Sequence, residues 1–353
     1  MERRLTELWY RPDGGAALLE PLAWAYGALV RARRSAYTRG WLEARRAGKP
    51  VVVIGNLTVG GTGKTPLTIW LAERLTAQGL AVGIVSRGYR RAGSAAATGD
   101  RRSRSSVPRF VESSSPWQSV GDEPVLIRRH TGCPTVVCAD RVAGARALAA
   151  HGVDAIIADD GLQHLRLARD CEIALIDGAR GFGNGRLLPA GPLREPASRL
   201  REVDLVVVNG HGPGAAAPAL VGVAALPMRL VASGAQRVDG HESARPLASF
   251  AGERVHAVAG IGHPARFFRD LESVGLEVIA HAFPDHHPFA AAELDFGDGR
   301  PVLMTEKDAV RCADFATERM WYVPVRAVLE EADASLLLAR VRARIDAAAA
   351  RAR

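Results

Sequence analysis

Val51-Val-Val-Ile-Gly-Asn-Leu-Thr-Val-Gly-Gly-Thr-Gly-Lys-Thr65 reads as a strand, a glycine-rich loop and the first turn of a helix. Four apolar β-formers run into Gly55, and Lys64-Thr65 opens an apolar helical pattern over 64–77. A loop of this kind offers backbone N–H groups and the positive end of a helix to a polyphosphate. Lys64 would reach its β/γ oxygens, and the Thr65 hydroxyl would ligate Mg²⁺. Thr58 stands where G-x-x-x-x-G-K-[ST] expects its first glycine, so the match is imperfect. A glycine-rich turn before an ordinary helix is the plainer alternative. The preceding strand and the GGTGKT core favour a bound nucleoside triphosphate, held by Thr58, Val59, Gly60, Gly61, Thr62, Gly63, Lys64 and Thr65.

Outward from this loop, strand and helix signals alternate. Strands are expected at 51–54, 81–85, 135–138, 153–158, 173–176 and 204–208, and helices at 64–77 and 141–150. Repeated β-α-β order predicts an α/β fold: a P-loop NTPase-like, mainly parallel sheet sandwiched by helices, with ligands beyond its C-terminal strand ends. Residues 91–119 interrupt the pattern with Arg, Ser, Gly and Ala, which suits a surface loop. A second, smaller α/β lobe follows, with a helix near 264–274, strands near 276–282, 302–304 and 321–323, and an Ala/Arg-rich helix at 334–351. The expected division is a helical segment at 1–46, a core domain at 47–219, a linker with short strands at 220–250, and the second lobe with its C-terminal helix at 251–353.

Composition narrows the class. The 353 residues are 48% hydrophobic and 24% charged, which gives a globular chain room for about two domains. Cys133, Cys138, Cys171 and Cys312 show no zinc-finger spacing and read as inert thiols. The net charge of +8 points to an anionic partner. No nucleic-acid-binding signature accompanies it, so no nucleic acid is expected, and no protein partner follows from the sequence. The N-terminus lacks the features of a signal peptide, and no stretch reaches a membrane span. Within 1–46, Leu18, Leu22, Ala25, Tyr26 and Leu29 recur at helical spacing, followed by Arg31, Arg33, Arg34 and Arg39. Such a helix packs on the domain or lies in a membrane interface with arginines on anionic headgroups, and it can do both.

Further residues carry chemistry. Val153-Asp-Ala-Ile-Ile-Ala-Asp-Asp160 is an apolar strand ending in paired carboxylates, about 95 residues beyond the loop lysine. Asp159 and Asp160 suit Mg²⁺, with helix capping as the alternative for one of them. Asp122, in Val120-Gly-Asp-Glu-Pro124, reads on spacing as a turn or cap residue. Asp285-His286-His287 reads as a solvated loop or as a histidine oriented for proton transfer. The long Gly/Pro-rich block 177–196 brings Arg186 and Arg194, and Arg87 adds a basic edge after the second strand; all three suit an anionic substrate group. Two rivals lack their defining residue. A GTP switch needs [NT]-K-x-D, which Asn209-Gly-His-Gly and Thr305-Glu-Lys-Asp308 both miss. A partitioning-type ATPase needs Lys where Val59 stands.

Together the strings Gly55–Pro66, Ser86-Arg-Gly-Tyr89, Gly121-Asp-Glu-Pro124, Asp159-Asp-Gly-Leu-Gln-His164, the Gly181–Pro196 block, Asp285-His286 and Thr305-Glu-Lys-Asp308 resemble the tetraacyldisaccharide 4′-kinase family, in order over about 50–310. The resemblance implies an ATP-dependent kinase acting on the 4′-hydroxyl of a lipid A disaccharide 1-phosphate precursor. It would work peripherally at the cytoplasmic face of a Gram-negative inner membrane, on anionic lipid. It implies Mg²⁺ at Thr65, Asp159 and Asp160, with the direct ligand between the two aspartates left open. Asp122 would be the base, assisted by His286 from the other lobe. Arg87, Gln163, Arg186 and Arg194 become candidate substrate contacts, while His164 and His287 receive no role. The alternative outside this family is a P-loop NTPase acting as a switch or metallochaperone.

Overall fold

β-Branched runs make the frame of this fold. The computed structural model describes residues 8–10, 17–88, 106–241 and 244–351. Its strands are β1 (Val51–Gly55), β2 (Val82–Ser86), β3 (Arg109–Val111), β4 (Thr135–Val137), β5 (Ala155–Asp159), β6 (Cys171–Asp177), β7 (Leu205–Asn209), β8 (Leu226–Ala232), β9 (Gln236–Arg237), β10 (Arg254–Ala259), β11 (Glu277–Ala282), β12 (Val302–Thr305), β13 (Met320–Val323) and β14 (Val325–Val328). The principal helices are α1 (Glu20–Thr38), α2 (Lys64–Ala77), α3 (Asp122–Thr131), α4 (Arg141–Ala150), α5 (Pro264–Ser273), α6 (Glu306–Cys312) and α7 (Glu331–Arg351).

The larger sheet has the order β14-β8-β7-β6-β1-β5-β2-β4-β3, parallel except for its two edge strands. Every residue of β1, β5, β6 and β7 is buried, as a sheet covered on both faces requires. Alternation divides the core. Val52 and Ile54 of β1 face Leu67, Leu71 and Leu75 of α2 and Leu337, Val341 and Ile345 of α7. Val51 and Val53 face Val142, Ala145 and Leu148 of α4. Each such leucine contributes roughly 1.5–3 kcal/mol by leaving water. β1 lies centrally between β5 and β6, so the loop after it opens where ligands collect in sheets of this type. Helix α4 starts on Asp140, whose carboxylate accepts from the Val142 and Ala143 amides.

The second sheet, β11-β10-β12-β13-β9, is parallel except for β9 and encloses its own core of Phe250, Val255, Ala257, Leu271 and Trp321. Here the segment 251–353 departs from the expected division. β14 pairs antiparallel with β8 at the edge of the larger sheet, and α7 packs on that sheet through Leu337, Val341 and Ile345. The apolar stripe of α7 is buried by the core domain, so the chain crosses to the second lobe and returns. β8, placed in the 220–250 linker by sequence, is likewise a strand of the larger sheet.

The turn expected around Asp122 is instead the start of a ten-residue helix. Gly121, at φ 98°, breaks the preceding short turn Trp117–Val120, and α3 begins at Asp122. Asp122 and Glu123 complement the positive end of that helix, and Pro124 is tolerated in its first turn. Of the 91–119 segment, 91–105 lie outside the described residues, as does Tyr89.

Candidate functional site

The phosphate loop is held open by its neighbours. Gly60 and Gly63 have φ of 105° and 95°, a region that favours glycine. A Cβ on Gly63 would stand 2.6 Å from Asn209 Nδ2, which donates instead to the Thr62 carbonyl. Asn56 Nδ2 donates to the Thr58 carbonyl, and Lys64 Nζ donates to Asn56 Oδ1 at 3.2 Å. The glycine- and proline-rich block braces the other side. The Val59 amide donates to the Pro192 carbonyl and the Arg194 amide to the Leu57 carbonyl. Thr65 is the second residue of α2 and partly exposed at the helix entrance.

The paired carboxylates end β5 beside this loop. Lys64 Nζ lies 3.6 Å from Asp160 Oδ1, and Arg194 Nη1 lies 3.4 Å from the same oxygen. Burial alone would push the Asp160 carboxyl up, but Lys64, Arg194 and Arg141 outweigh it and hold Asp160 below the usual range. Asp160 has φ 51°, an uncommon backbone for a non-glycine residue. Asp159 accepts from Thr68 Oγ1 at 3.2 Å. Burial, then the charges of Glu123 and Asp160, push its carboxyl up to about 7. The oxygen donors of this corner are those a hard divalent cation prefers. Among the described residues no cluster of three His, Cys, Asp or Glu side chains forms a protein-only metal cage.

Four basic or amide side chains singled out by sequence fall in three places. Gln163 donates to the Asn56 carbonyl and to Glu195, and Arg194 reaches Gln163 Oε1, so these two border the phosphate loop. Arg87 shares an electrostatic neighbourhood with Arg141 and His164. Burial, then these two arginine charges, drives the His164 imidazole down to about 4. Arg186 stands apart, paired with Glu20 of α1 at 2.8 Å.

Asp122 and His286 come from different lobes and meet. His286 Nδ1 lies 3.0 Å from Asp122 Oδ2, although 164 residues separate them. Arg311 Nε donates to the same oxygen at 2.9 Å, and the Glu123 amide donates to Oδ1 at 2.8 Å. Burial works to raise the Asp122 carboxyl; the Lys307 charge, the His286 hydrogen bond and Arg311 overcome it and hold Asp122 well below the usual range. His287, by contrast, turns to Glu293 on an exposed loop. The second lobe also reaches the phosphate loop: a Cβ on Gly262 would sit 2.9 Å from the Gly61 nitrogen.

Sequence reasoning gave no role to four residues that this geometry brings in. Glu123 and Lys307 form a 3.2 Å ion pair across the lobes, and Arg311 is fully buried between Asp122 and Asp308. Arg141 is buried near Asp159 and Asp160; its Nη1 donates to the Cys138 carbonyl, while Nε and Nη2 have no partner among the described residues. Buried unpartnered guanidinium nitrogens are costly, so Arg141 is a further candidate for an anionic group. Lys307 carried one signal, its place in the Thr305–Asp308 string, and Arg311 lies three residues beyond that string. Arg141 carried none beyond opening a helix after a strand.

Comparison with known proteins fits this geometry. The sequence profile of the tetraacyldisaccharide-1-P 4′-kinase family (LpxK) matches residues 15–342. A tetraacyldisaccharide 4′-kinase of Alkalilimnicola ehrlichii is 52% identical over 330 residues, covering 93% of this chain and 94% of that one. One from Xanthomonas campestris is 52% identical over 320 residues, covering 88% of each. The crystal structure of LpxK from Aquifex aeolicus in complex with ATP superposes with a TM-score of 0.73 at 27% identity, covering 94% of this chain and 99% of that one.

Proposed function

From the premise that the chain belongs to the tetraacyldisaccharide 4′-kinase family, we propose that its two substrates react where the lobes meet over the phosphate loop. The protein is an ATP-dependent kinase of lipid A biosynthesis, transferring the γ-phosphate to the 4′-hydroxyl of a tetraacyl-disaccharide 1-phosphate. The observation that carries the site assignment is the 3.0 Å contact between Asp122 of the core domain and His286 of the second lobe.

The chemistry asks for positioning more than for covalent intermediates. Residues 58–65 hold the triphosphate, with Lys64 on the β/γ oxygens. Asp122, pinned by Arg311, His286 and the Glu123 amide, orients the sugar hydroxyl. So strongly stabilised a carboxylate is a weak base towards a free alcohol. It takes the proton late, as the new O–P bond makes that hydroxyl acidic. The proton leaves for solvent with the products, ADP and the bisphosphorylated lipid. Because base and histidine sit on separate lobes, the dyad is complete only when the lobes are closed, a state that excludes water from the γ-phosphate. Arg194 and Gln163 border the transferring phosphate, while Arg87, Arg141 and Arg186 suit the anionic 1-phosphate lipid.

Thr65, Asp159 and Asp160 are the residues that would hold Mg²⁺. The ion would neutralise phosphate charge and complete its shell with phosphate oxygens and water. The buried, mutually repelling carboxylates of Asp159 and Asp160 support this reading, because a divalent charge beside them would offset both the burial and the repulsion that push Asp159 up. The test is a Mg²⁺ titration of phosphoryl transfer. Asp159→Asn and Asp160→Asn are each expected to raise the Mg²⁺ needed for half-maximal rate at least about tenfold. Unchanged midpoints in both variants would remove the pair from the metal.

Helix α1 supports action at a membrane surface. Ala23 and Gly27 face Leu187, Tyr26 Oη donates to the Arg194 carbonyl, and Arg34 Nη1 pairs with Glu195 at 2.6 Å. Leu18, Leu22 and Leu29 recur on the opposite side and are exposed, as are Trp24, Trp41 and Leu42 nearby. Among the described residues no helix is long and apolar enough to cross a membrane. An exposed apolar face on a helix that also carries Arg33, with Arg39 at its end, fits peripheral attachment to the anionic cytoplasmic leaflet of the inner membrane. Leu22→Glu with Leu29→Glu is expected to lower recovery with anionic vesicles at least about tenfold, given roughly 1.5–3 kcal/mol per inserted leucine. Undiminished pelleting, with ATP affinity as the folding control, would place the attachment elsewhere.

A further inference from the structure

We propose that Lys307 is the positioning residue that fixes the tautomer of His286, and through it the carboxylate of Asp122, when the lobes meet. The inference rests on the kinase reading only for the role of Asp122; the contacts themselves stand without it.

Helix α6 belongs to the second lobe, yet its Lys307 reaches the core domain. Its Nζ lies 3.2 Å from Glu123 Oε1 of α3, 3.2 Å from Asp285 Oδ1, and 3.2 Å from His286 Nε2. Desolvation would strip such a lysine of its proton, but Glu123, Asp122 and Asp285 outweigh it and hold the ammonium group above its ordinary range. An ammonium group donates and cannot accept. His286 Nε2 must therefore accept from Lys307, and the ring proton must sit on Nδ1, where it donates to Asp122 Oδ2. The tautomer follows by elimination from the chemistry of its neighbours.

Three consequences follow. Nε2, occupied by Lys307, does not receive the sugar proton, so His286 works by holding Asp122. Both donors on Asp122 Oδ2, His286 Nδ1 and Arg311 Nε, come from the second lobe. Oδ1, which among the described residues accepts from the Glu123 amide, is the oxygen turned to the substrate. Lys307 also makes the dyad conditional on closure. Its partner Glu123 is on the core domain, so opening the lobes separates Lys307 from Glu123 and His286 from Asp122 together. The positive φ of His286, 59°, and the hydrogen bond from its amide to the Gly260 carbonyl hold the ring in this place.

Among the described residues, the charged groups facing His286 include Asp122 and Glu123 from α3, Asp285 from its own loop, and Lys307 and Arg311 from α6. Removing the ammonium leaves the three carboxylates against one guanidinium. Nε2 then faces the Asp285 carboxylate, an acceptor, in place of a donor.

The test reads the ring directly, on the full-length protein labelled with ¹⁵N-histidine, with the His286 signal assigned by its loss in His286→Gln. The wild type is expected to show Nδ1 protonated and Nε2 unprotonated. Lys307→Met should protonate Nε2, while Lys307→Arg, which keeps the charge, should retain the wild-type pattern. In phosphoryl transfer Lys307→Met is expected to lower kcat about 10–100-fold with KM for ATP within about twofold. A protonated Nε2 in the wild type overturns the proposal, and this result needs no Lys307 variant, only His286→Gln for the assignment. A Lys307→Met spectrum identical to wild type overturns it as well. Neither outcome touches the kinase reading, which label transfer to lipid tests independently.

Discussion

Asp122→Asn is expected to lower kcat by about 10²–10⁴-fold while leaving ATP affinity within about threefold. The side chain is 2% exposed and accepts three hydrogen bonds, two of them on Oδ2 from Arg311 and His286. Asparagine preserves shape and its one oxygen can still accept from Arg311 and His286, so the change removes the charge and basicity at the cost of the bond from the Glu123 amide. Alanine is the poorer probe. It would strand the fully buried Arg311, and breaking a buried ion pair costs about 3–5 kcal/mol. Asp308 at 3.2 Å would compensate only in part. The discriminating measurement pairs steady-state kinetics with calorimetric ATP binding. A fall in ATP affinity matching the fall in kcat would mean that Asp122 supports the nucleotide and not the acceptor.

Lys64→Met is expected to lower transfer by about 10²–10³-fold and to weaken ATP binding as well. Lys64 is the nearest cation to Asp160 after Arg194, and its charge also opposes the rise of the Asp159 carboxyl. Without it, two carboxylates face the triphosphate; the repulsion weakens ATP binding and grows as charge redistributes over the transferring phosphate, so the transition state suffers more than the ground state. Lys64→Arg should not restore the rate, because a planar guanidinium cannot reproduce a point charge seated against Asn56 at 3.2 Å. Kinetics at saturating ATP decide the matter. A normal kcat with only KM raised would assign Lys64 to binding alone.

Much of this was legible in the chain because it is local. The strand, loop and helix of 51–77 can be read residue by residue, since β-branched burial, glycine at positive φ and the i, i+4 leucines of α2 all act within a few residues. Helices Lys64–Ala77 and Arg141–Ala150 begin and end where the pattern places them. What escaped is non-local. The antiparallel pairing of β14 with β8 joins Val325 to Ala232, and no local signal distinguishes that edge strand from one of the second lobe. The reading of Asp122 as a turn residue was half right: Gly121 does break the chain, but a helix starts at once. Lys307 and Arg311 were hidden by distance, since their partners lie 184 and 189 residues away. The Thr305–Asp308 string read as a failed base-recognition motif, although its lysine and the arginine three residues beyond its end surround the dyad.

The central claim is that the phosphate loop and a dyad assembled from two lobes pass a phosphoryl group to a lipid hydroxyl and not to water. The most direct measurement follows γ-labelled phosphate from Mg²⁺-ATP in detergent micelles containing a tetraacyl-disaccharide 1-phosphate, with and without the lipid. The account predicts label at the 4′ position of a bisphosphorylated lipid, little free phosphate in the absence of acceptor, and loss of transfer in Asp122→Asn. Label released only as inorganic phosphate, at the same rate with or without lipid, would contradict it.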